Sequence, residues 1–361
     1  MTKILSIGTA NPVYRHRQGD ILQFMRRVYA LDMVEDRKLK FLYGQSGIDS
    51  RYSVIPDYSL QPSDWKFYPA SESLEPFPSL ELRLSWYNKH AAALSIDAIR
   101  KCLGKVKVNA AEITHLITVS CTGMSAPGLD LEVMELLELS RSVSRSSINF
   151  MGCYAAVHGL KQADAICRST RGAKVLVVCT ELCTLHFQKA ATPDNIASSL
   201  LFGDGSAAVL LTCDESSGVH IRGFYGEVIP KGKRDMSWEL SSSGFLMTLS
   251  GYIPELIATD FSPLLHRALA QFGIQENEIQ QWCIHPGGKR ILQAVEKSLN
   301  LPGEALASGY EILKQFGNMS SPTILFVLQH MLEKGAQGNM IAAAFGPGLT
   351  METFWLEADD K

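Results

Sequence analysis

An α/β architecture is the fold class this sequence predicts, and three observations carry it. Short runs rich in β-branched residues alternate with longer amphipathic stretches along much of the chain. Turns marked by glycine or proline separate many of these runs. The 361 residues, 46% hydrophobic and 20% charged, suffice for a sizeable core, either as two domains or as one large layered unit.

Met-Thr-Lys-Ile-Leu-Ser-Ile-Gly-Thr-Ala opens the chain, an apolar stretch too short for a signal peptide, so a first strand is expected there. Residues 53–79 carry five of the fifteen prolines (56, 62, 69, 76 and 78) with little periodicity, which predicts a long surface loop. A helix follows over Leu80–Leu103, stopped by Gly104 as a C′ residue. Residues 113–120 read as a buried strand, and a helical pattern runs from Pro127-Gly128 to Leu139. Two more buried strands are expected at 174–180 and 207–212, and the Lys/Gly/Ser-rich stretch 227–243 is expected to be irregular. Beyond it the pattern gives a helix at Ile253–Phe272, a strand at 282–284, a helix at 291–299, a helix at 321–333 and a strand at 340–344. No repeat of solenoid period interrupts this order.

The formal net charge of −3 argues against general nucleic-acid binding, which needs a basic face. No apolar run reaches the length of a membrane span. Eight cysteines stand at 102, 121, 153, 167, 179, 183, 213 and 283 without CxxC spacing, and several lie in or beside apolar runs. Reduced thiols in a cytoplasmic protein, most of them core, are the expectation, and no metal site is.

Cys153 stands apart in Asn-Phe-Met-Gly-Cys-Tyr-Ala-Ala, where a turn passes into a helix-compatible run. A thiol opening a helix feels the positive end of the backbone dipole, which favours thiolate. The ordinary alternative is a buried structural thiol. Two later segments supply partners: Ile-His-Pro-Gly-Gly with His285, and Phe-Gly-Asn-Met-Ser-Ser with Asn318. His285 could accept the thiol proton, and its ring with the Asn318 amide could form an oxyanion hole. Alone, each is also an ordinary turn histidine or capping asparagine. The separation 285 − 153 = 132 fits papain-like hydrolases too, but the Cys-Gly-Ser-Cys-Trp phrase is absent and Cys153 is mid-chain. Leu201-Phe202-Gly203-Asp204-Gly205-Ser206 reads as a tight loop, and Phe345-Gly346-Pro347-Gly348-Leu349 as a rigid turn able to wall a site.

Met-Gly-Cys-Tyr-Ala-Ala, Leu-Phe-Gly-Asp-Gly, Ile-His-Pro-Gly-Gly, Gly-Asn-Met-Ser-Ser and Phe-Gly-Pro-Gly-Leu-Thr-Met-Glu resemble, in order, the type III polyketide synthases, the chalcone and stilbene synthase group. The resemblance spans residues 149–352, with a weaker echo at Ile-Leu-Ser-Ile-Gly-Thr-Ala-Asn-Pro. It implies a thiolase fold, duplicated α/β halves stacked α-β-α-β-α, divided here as 1–215 and 216–361 and assembled as a homodimer. The implied activity is iterative decarboxylative condensation of malonyl-CoA onto an acyl-CoA starter, with no metal or cofactor. Cys153 would carry the acyl group, while His285 and Asn318 would hold the malonyl thioester carbonyl. Phe202 matches a gatekeeping aromatic, Gly287 and Gly288 would border the CoA channel, and Phe345 and Gly346 would wall the cavity. Lys38, Lys40 and Arg51 would meet CoA phosphates, or else form a solvated basic face.

Departures from the plant members reshape the cavity. Met247 stands where those have a second gatekeeping Phe, and Ala126 where a Met reaches into the partner subunit. Cys121, in a phrase that resembles microbial members, stands near a threonine that the plant members use in cyclisation; His186 and Trp238 are bulkier than the plant residues. Glu181 and Ser320, with Cys121, are placed as a polar relay choosing between aldol and lactone closure. An alkylpyrone, alkylresorcinol or small phenolic product is expected. Two rival readings remain: a carrier-protein-dependent β-ketoacyl synthase of the initiating kind, and a silent scaffold.

Overall fold

The computed structural model describes residues 1–71, 73–214 and 218–358, so the division expected at 215/216 lies outside the described residues. In the first part run β1 (Lys3–Ala10), β2 (Tyr14–Arg17), α1 (Gln18–Tyr29), α2 (Met33–Gln45), β3 (Ser50–Ser53), α3 (Leu80–Leu103), β4 (His115–Ser120), α4 (Leu129–Leu136), β5 (Ser144–Asn149), α5 (Ala155–Ser169), β6 (Lys174–Leu182), α6 (Pro193–Leu201) and β7 (Asp204–Thr212). The second part holds β8 (Val219–Val228), β9 (Met236–Ser241), β10 (Gly244–Leu249), α7 (Ile253–Phe272), β11 (Gln281–Ile284), α8 (Lys289–Leu299), α9 (Ala307–Phe316), α10 (Thr323–Glu333), β12 (Gly338–Gly346) and β13 (Thr350–Ala358).

Nine strands join in the order β11-β12-β13-β8-β1-β7-β6-β4-β5. The two halves meet where β1 pairs with β8 through Lys3↔His220 and Ile4↔Val219. Successive side chains of a strand face opposite ways, and here both ways are apolar. Leu116, Leu176, Val178 and Leu210 face α3 through Tyr87, Ala91, Leu94 and Ile99. Their neighbours Ile117, Val175, Val177 and Val209 face a middle layer made of α5 and α10, with Val157, Leu160, Ile324 and Leu328. Ala342, Ala344 and Phe354 close that layer from the other half. Ile341, Ala343 and Met351 pack outward on α7 and α8 through Phe261, Leu264, Leu292 and Val295. Three apolar clusters, the middle one reaching both sheet halves, thus hold together five layers, α-β-α-β-α, as expected. Gly8 sits where a Cβ would come within 2.2 Å of the Cys102 amide, so β1 and α3 approach closely only because position 8 has no side chain.

The structure corrects several expectations. Beyond Ser53, the last residue of β3, the described residues of 53–79 hold only the 3₁₀ turns Asp57–Ser59 and Pro62–Asp64, yet they are not superficial. Val54, Ile55, Tyr58, Trp65, Phe67, Tyr68 and Leu74 are buried. The Asp57 carboxylate accepts the N–H groups of Lys66, Phe67 and Tyr68 and folds the segment on itself. Tyr58, Trp65 and Tyr68 then pack on Phe24 of α1. Proline density reported absent regular structure, not depth. Gly104 ends α3 in a right-handed conformation, φ −65°, rather than the left-handed one expected of a C′ glycine. The stretch 227–243 is not wholly irregular, because β9 pairs with β10 and sets Trp238 opposite Met247. The tight loop at 201–206 shrinks, since Asp204, Gly205 and Ser206 already belong to β7. The helix after Gly128 stops at Leu136.

Candidate active site

Cys153 lies in a single 3₁₀ turn, Gly152–Tyr154, that leads into α5. Gly152 has φ +78°, and a Cβ there would come within 2.2 Å of Pro347 Cδ. A Cβ on Gly346 would lie 3.3 Å from the Cys153 amide nitrogen. The Gly-Pro-Gly turn after β12 is therefore pressed against the cysteine turn, and glycine on both faces makes the approach possible. From the other side the Gly152 N–H donates to Cys121 Sγ at 3.0 Å.

His285 follows β11 directly, its N–H donating to the Ala343 carbonyl at 2.8 Å. The residue is 1% exposed, and among the described residues neither ring nitrogen has a hydrogen-bond partner. Asn318 is clamped through its backbone, with its N–H on the Leu201 carbonyl and its carbonyl accepting from Gly203, both at 2.9 Å. Asn318 Oδ1 accepts the Ser320 N–H at 2.8 Å, which turns Nδ2 toward the Gly287 carbonyl, 3.2 Å away. The Ser320 hydroxyl and the Asn318 side chain both hydrogen-bond Cys153. Ser320 holds φ +60°, a strained backbone kept by its surroundings at the point where its side chain meets the sulfur.

Burial dominates the electrostatics. It pushes the Cys153 thiol up to about 11, with the Ser320 and Asn318 hydrogen bonds pulling the other way, and His285 down to about 3. The rise from an ordinary 9 disfavours thiolate by roughly 3 kcal/mol. A helix N-terminus returns only about 0.3–1 kcal/mol, so the dipole effect expected from sequence is outweighed. Both groups rest neutral, and each would lose its reluctance to ionise if the proton passed from sulfur to ring.

Cys153, His285 and Asn318 line one chamber of about 620 Å³. So do Phe202, Cys121, His186, Met247, Ser320, Phe345, Gly287 and Gly288, together with Trp238. Gly346 packs behind the wall on Tyr154. Glu181, fully buried, also lies behind it. The expected phosphate partners do not gather. Lys38 pairs with Glu35 at 2.6 Å and Lys40 with Asp36 at 2.8 Å, and neither lines the chamber. Arg51 is a buried strut: its guanidinium donates to the Phe202 carbonyl and, at 3.0 Å, to Gln18 Oε1. Sequence reasoning missed Lys289 and Arg290, which line the chamber one and two positions after Gly288. Their place next to a Gly-Gly turn that opens a helix was the available signal. Cys183, Phe245, Phe41 and Leu42 also line the chamber, and no motif marks them.

Two side chains show how the inner wall is held. His186 Nε2 lies 2.7 Å from the Thr122 carbonyl, its Nδ1 accepts the Phe245 N–H, and its ring stacks on Phe245 at 4.1 Å. Glu181 accepts from the Cys121 N–H at 2.9 Å, the Thr122 hydroxyl at 2.8 Å and the Ser321 hydroxyl at 2.7 Å. Ser321, not Ser320, thus completes the relay expected around Glu181. Burial lifts the Glu181 carboxyl to about 7. Its folded value lies above the unfolded one, so the native state holds an extra proton between about pH 4.5 and 7 and loses stability as pH rises through that window. Glu181→Gln removes this titration. The stability of wild type relative to Glu181→Gln, measured by urea denaturation, should therefore fall by up to about 3 kcal/mol from pH 5 to pH 8. A difference independent of pH would show the carboxyl ionised throughout.

With this geometry in place, the chain can be compared with known proteins. The N-terminal domain model of the chalcone and stilbene synthases matches residues 1–215, and the C-terminal domain model matches residues 221–358. The chain belongs to the chalcone and stilbene synthase family. It is a type III polyketide synthase with a thiolase fold, an acyl-transferring condensing enzyme. Alpha-pyrone synthesis polyketide synthase-like Pks18 of Mycobacterium tuberculosis is 30% identical over 359 residues, covering 97% of this chain and 89% of the relative. That bacterial relative accords with the microbial character of the Cys121 phrase. Among solved structures, PKS-I of the brown alga Ectocarpus siliculosus superposes with a TM-score of 0.93 at 28% identity, over 99% of this chain and 98% of that one. The C-terminal type III polyketide synthase domain of Steely1, a type I/III hybrid from Dictyostelium, gives 0.91 at 26% identity, over 99% of both chains. In this type III polyketide synthase the family motifs are the segments that converge on the chamber. Among the described residues no cluster of His, Cys, Asp or Glu could hold a metal ion, and no helix is long and apolar enough to cross a membrane.

Proposed function

We propose that this polyketide synthase extends an acyl-CoA starter with malonyl-CoA through a thioester on Cys153. One observation carries the reading: Asn318 and Ser320 bond the Cys153 sulfur inside the chamber that the unpartnered ring of His285 also lines. His285 takes the thiol proton as sulfur attacks the starter carbonyl, and CoA leaves as its thiol. Malonyl-CoA then loses CO₂, and its carbonyl oxygen becomes an enolate oxygen that needs donors in a dry site. The Asn318 amide and the N–H of the His285 ring supply them, and the amide does so without becoming a competing base. The enolate carbon attacks the thioester, a C–C bond forms, the C–S bond breaks, and the sulfur is freed for the next round.

Phe202 gates the passage, its backbone fixed by Arg51 and its neighbours bridged to Asn318. Gly287 and Gly288 border the CoA channel, with Lys289 and Arg290 replacing Lys38 and Lys40 as the cations beside it. Cys121, His186, Met247, Trp238 and Phe345 shape the cavity, and Glu181 holds Cys121 and Thr122 in place. The largely apolar lining suits an aliphatic or aromatic starter closing to a pyrone, resorcinol or small phenolic. The likeness to the mycobacterial alpha-pyrone synthesis polyketide synthase-like Pks18 favours the pyrone. No cofactor or metal takes part in this scheme. We assign the halves to 1–215 and 216–361, the assembly to a homodimer and the location to the cytoplasm.

Purified protein incubated with malonyl-CoA and a panel of acyl-CoAs, with no carrier protein, should release CO₂ and form extended products that mass spectrometry resolves. Condensation only when malonyl is carried on a carrier protein would overturn the proposal.

A further inference from the structure

We propose that Arg51 and Gln18 are positioning residues for the enolate step, setting the Asn318 amide and the Phe202 gate as one unit. The carbonyls of Leu200, Leu201 and Phe202, where α6 ends, are held by three donors from three parts of the chain. Gln18 Nε2 donates to the Leu200 carbonyl at 2.9 Å, and the Asn318 N–H to the Leu201 carbonyl at 2.9 Å. The Arg51 guanidinium donates to the Phe202 carbonyl. The Gly203 N–H returns a bond to the Asn318 carbonyl, so residues 202 and 318 form a short parallel bridge. Arg51 Nε donates to Gln18 Oε1 at 3.0 Å and ties the two outer donors together.

The stem of Arg51 packs against the two glycines that flank this bridge. A Cβ on Gly317, which has φ +67°, would lie 2.8 Å from Arg51 Cγ and Cδ, and one on Gly203 would lie 3.4 Å from Arg51 Cβ. The glycine before Asn318 therefore makes room for the arginine as well as for the turn. Arg51 and Gln18 are both buried. Among the described residues no hydrogen bond of the guanidinium goes to a carboxylate, since its acceptors are the Gln18 amide and the Phe202 carbonyl. Asp204, the buried acid of the same loop, gives its oxygens to Val54 and Thr184. A buried charge without a bonded counter-ion weakens a fold. What arginine supplies in exchange is a rigid planar fork that reaches two acceptors at a fixed angle. Here one acceptor is the backbone of the gate, and the other belongs to the residue that holds the carbonyl two positions before it. A donor aimed at an enolate oxygen must stay within about half an ångström of its productive place, and this clamp holds the backbone of Asn318.

The inference rests on the proposed reading of Asn318 as an enolate donor, and the test separates the two. Wild type, Asn318→Ala, Arg51→Lys and Gln18→Met are compared for CO₂ release from malonyl-CoA and for acyl loading of Cys153 by intact mass. Arg51→Lys keeps the charge and loses the fork. Its kcat for CO₂ release should fall by about a hundredfold, with the KM for malonyl-CoA moving by less than about threefold and loading slowed far less. Gln18→Met should act in the same direction with a smaller loss, and it decides the matter at the same readouts if Arg51→Lys does not fold. In Arg51→Ala, guanidinium ion below denaturing concentration should restore part of the CO₂ release, which a general weakening of the fold would not allow. Wild-type CO₂ release by the folded variants, or equal losses of loading and CO₂ release, would overturn the proposal and leave the enolate reading standing as long as Asn318→Ala is impaired. Decarboxylation by Asn318→Ala at the wild-type rate would remove both.

Discussion

Cys153→Ala should leave the protein unable to take up an acyl group. Intact-mass measurement after exposure to acyl-CoA should show wild type heavier by one acyl unit and the variant unchanged, with product formation down by at least about a thousandfold. The size of the effect follows from geometry. The sulfur at 153 is the one bonded by both Asn318 and Ser320, and the turn that carries it is wedged between Cys121 and Pro347. Cys121 and Cys183 line the same chamber, so they are the thiols that would be acylated in the variant if the assignment were wrong. Burial pushes the Cys121 and Cys183 thiols well above the ordinary thiol range. A loaded Cys153→Ala protein would end the mechanism.

His285→Ala and Asn318→Ala should separate the two halves of the reaction. Removing a preorganised donor from an oxyanion site costs about a hundred- to a thousandfold, so CO₂ release from malonyl-CoA should fall by that much in each variant. Acyl loading of Cys153 should persist in Asn318→Ala, because that step draws on the sulfur and the imidazole. The double variant should lose less than the product of the two single losses, since both donors serve one oxygen. Radiometric CO₂ release beside intact-mass loading reads both steps in one sample. Unchanged decarboxylation in Asn318→Ala would assign the enolate to other donors.

Much of the core was legible in the residues, because the β6 strand and helices such as Leu80–Leu103 and Ile253–Phe272 follow the hydrophobic period closely. The segment 53–79 was not, since its burial comes from aromatic packing on α1 and from the Asp57 carboxylate, neither of which has a period. The three polar residues of the chamber were legible as a set because each sits in a Gly-marked turn. Their charge states were not: a helix start can be read from sequence, but the desolvation that outweighs it is a property of depth. The cations of the chamber were misplaced for a related reason. Lys38 and Lys40 look available in one dimension, while in the fold neither lines the chamber and each has an acid of its own helix beside it.

The uncommitted ring of His285 has a consequence for the whole molecule. Among the described residues nothing hydrogen-bonds either ring nitrogen, so the protein holds the imidazole by packing and by its backbone alone. A side chain that adds no hydrogen bond to the fold is kept for turnover, and variation released from that need should drift here toward an apolar residue of similar volume.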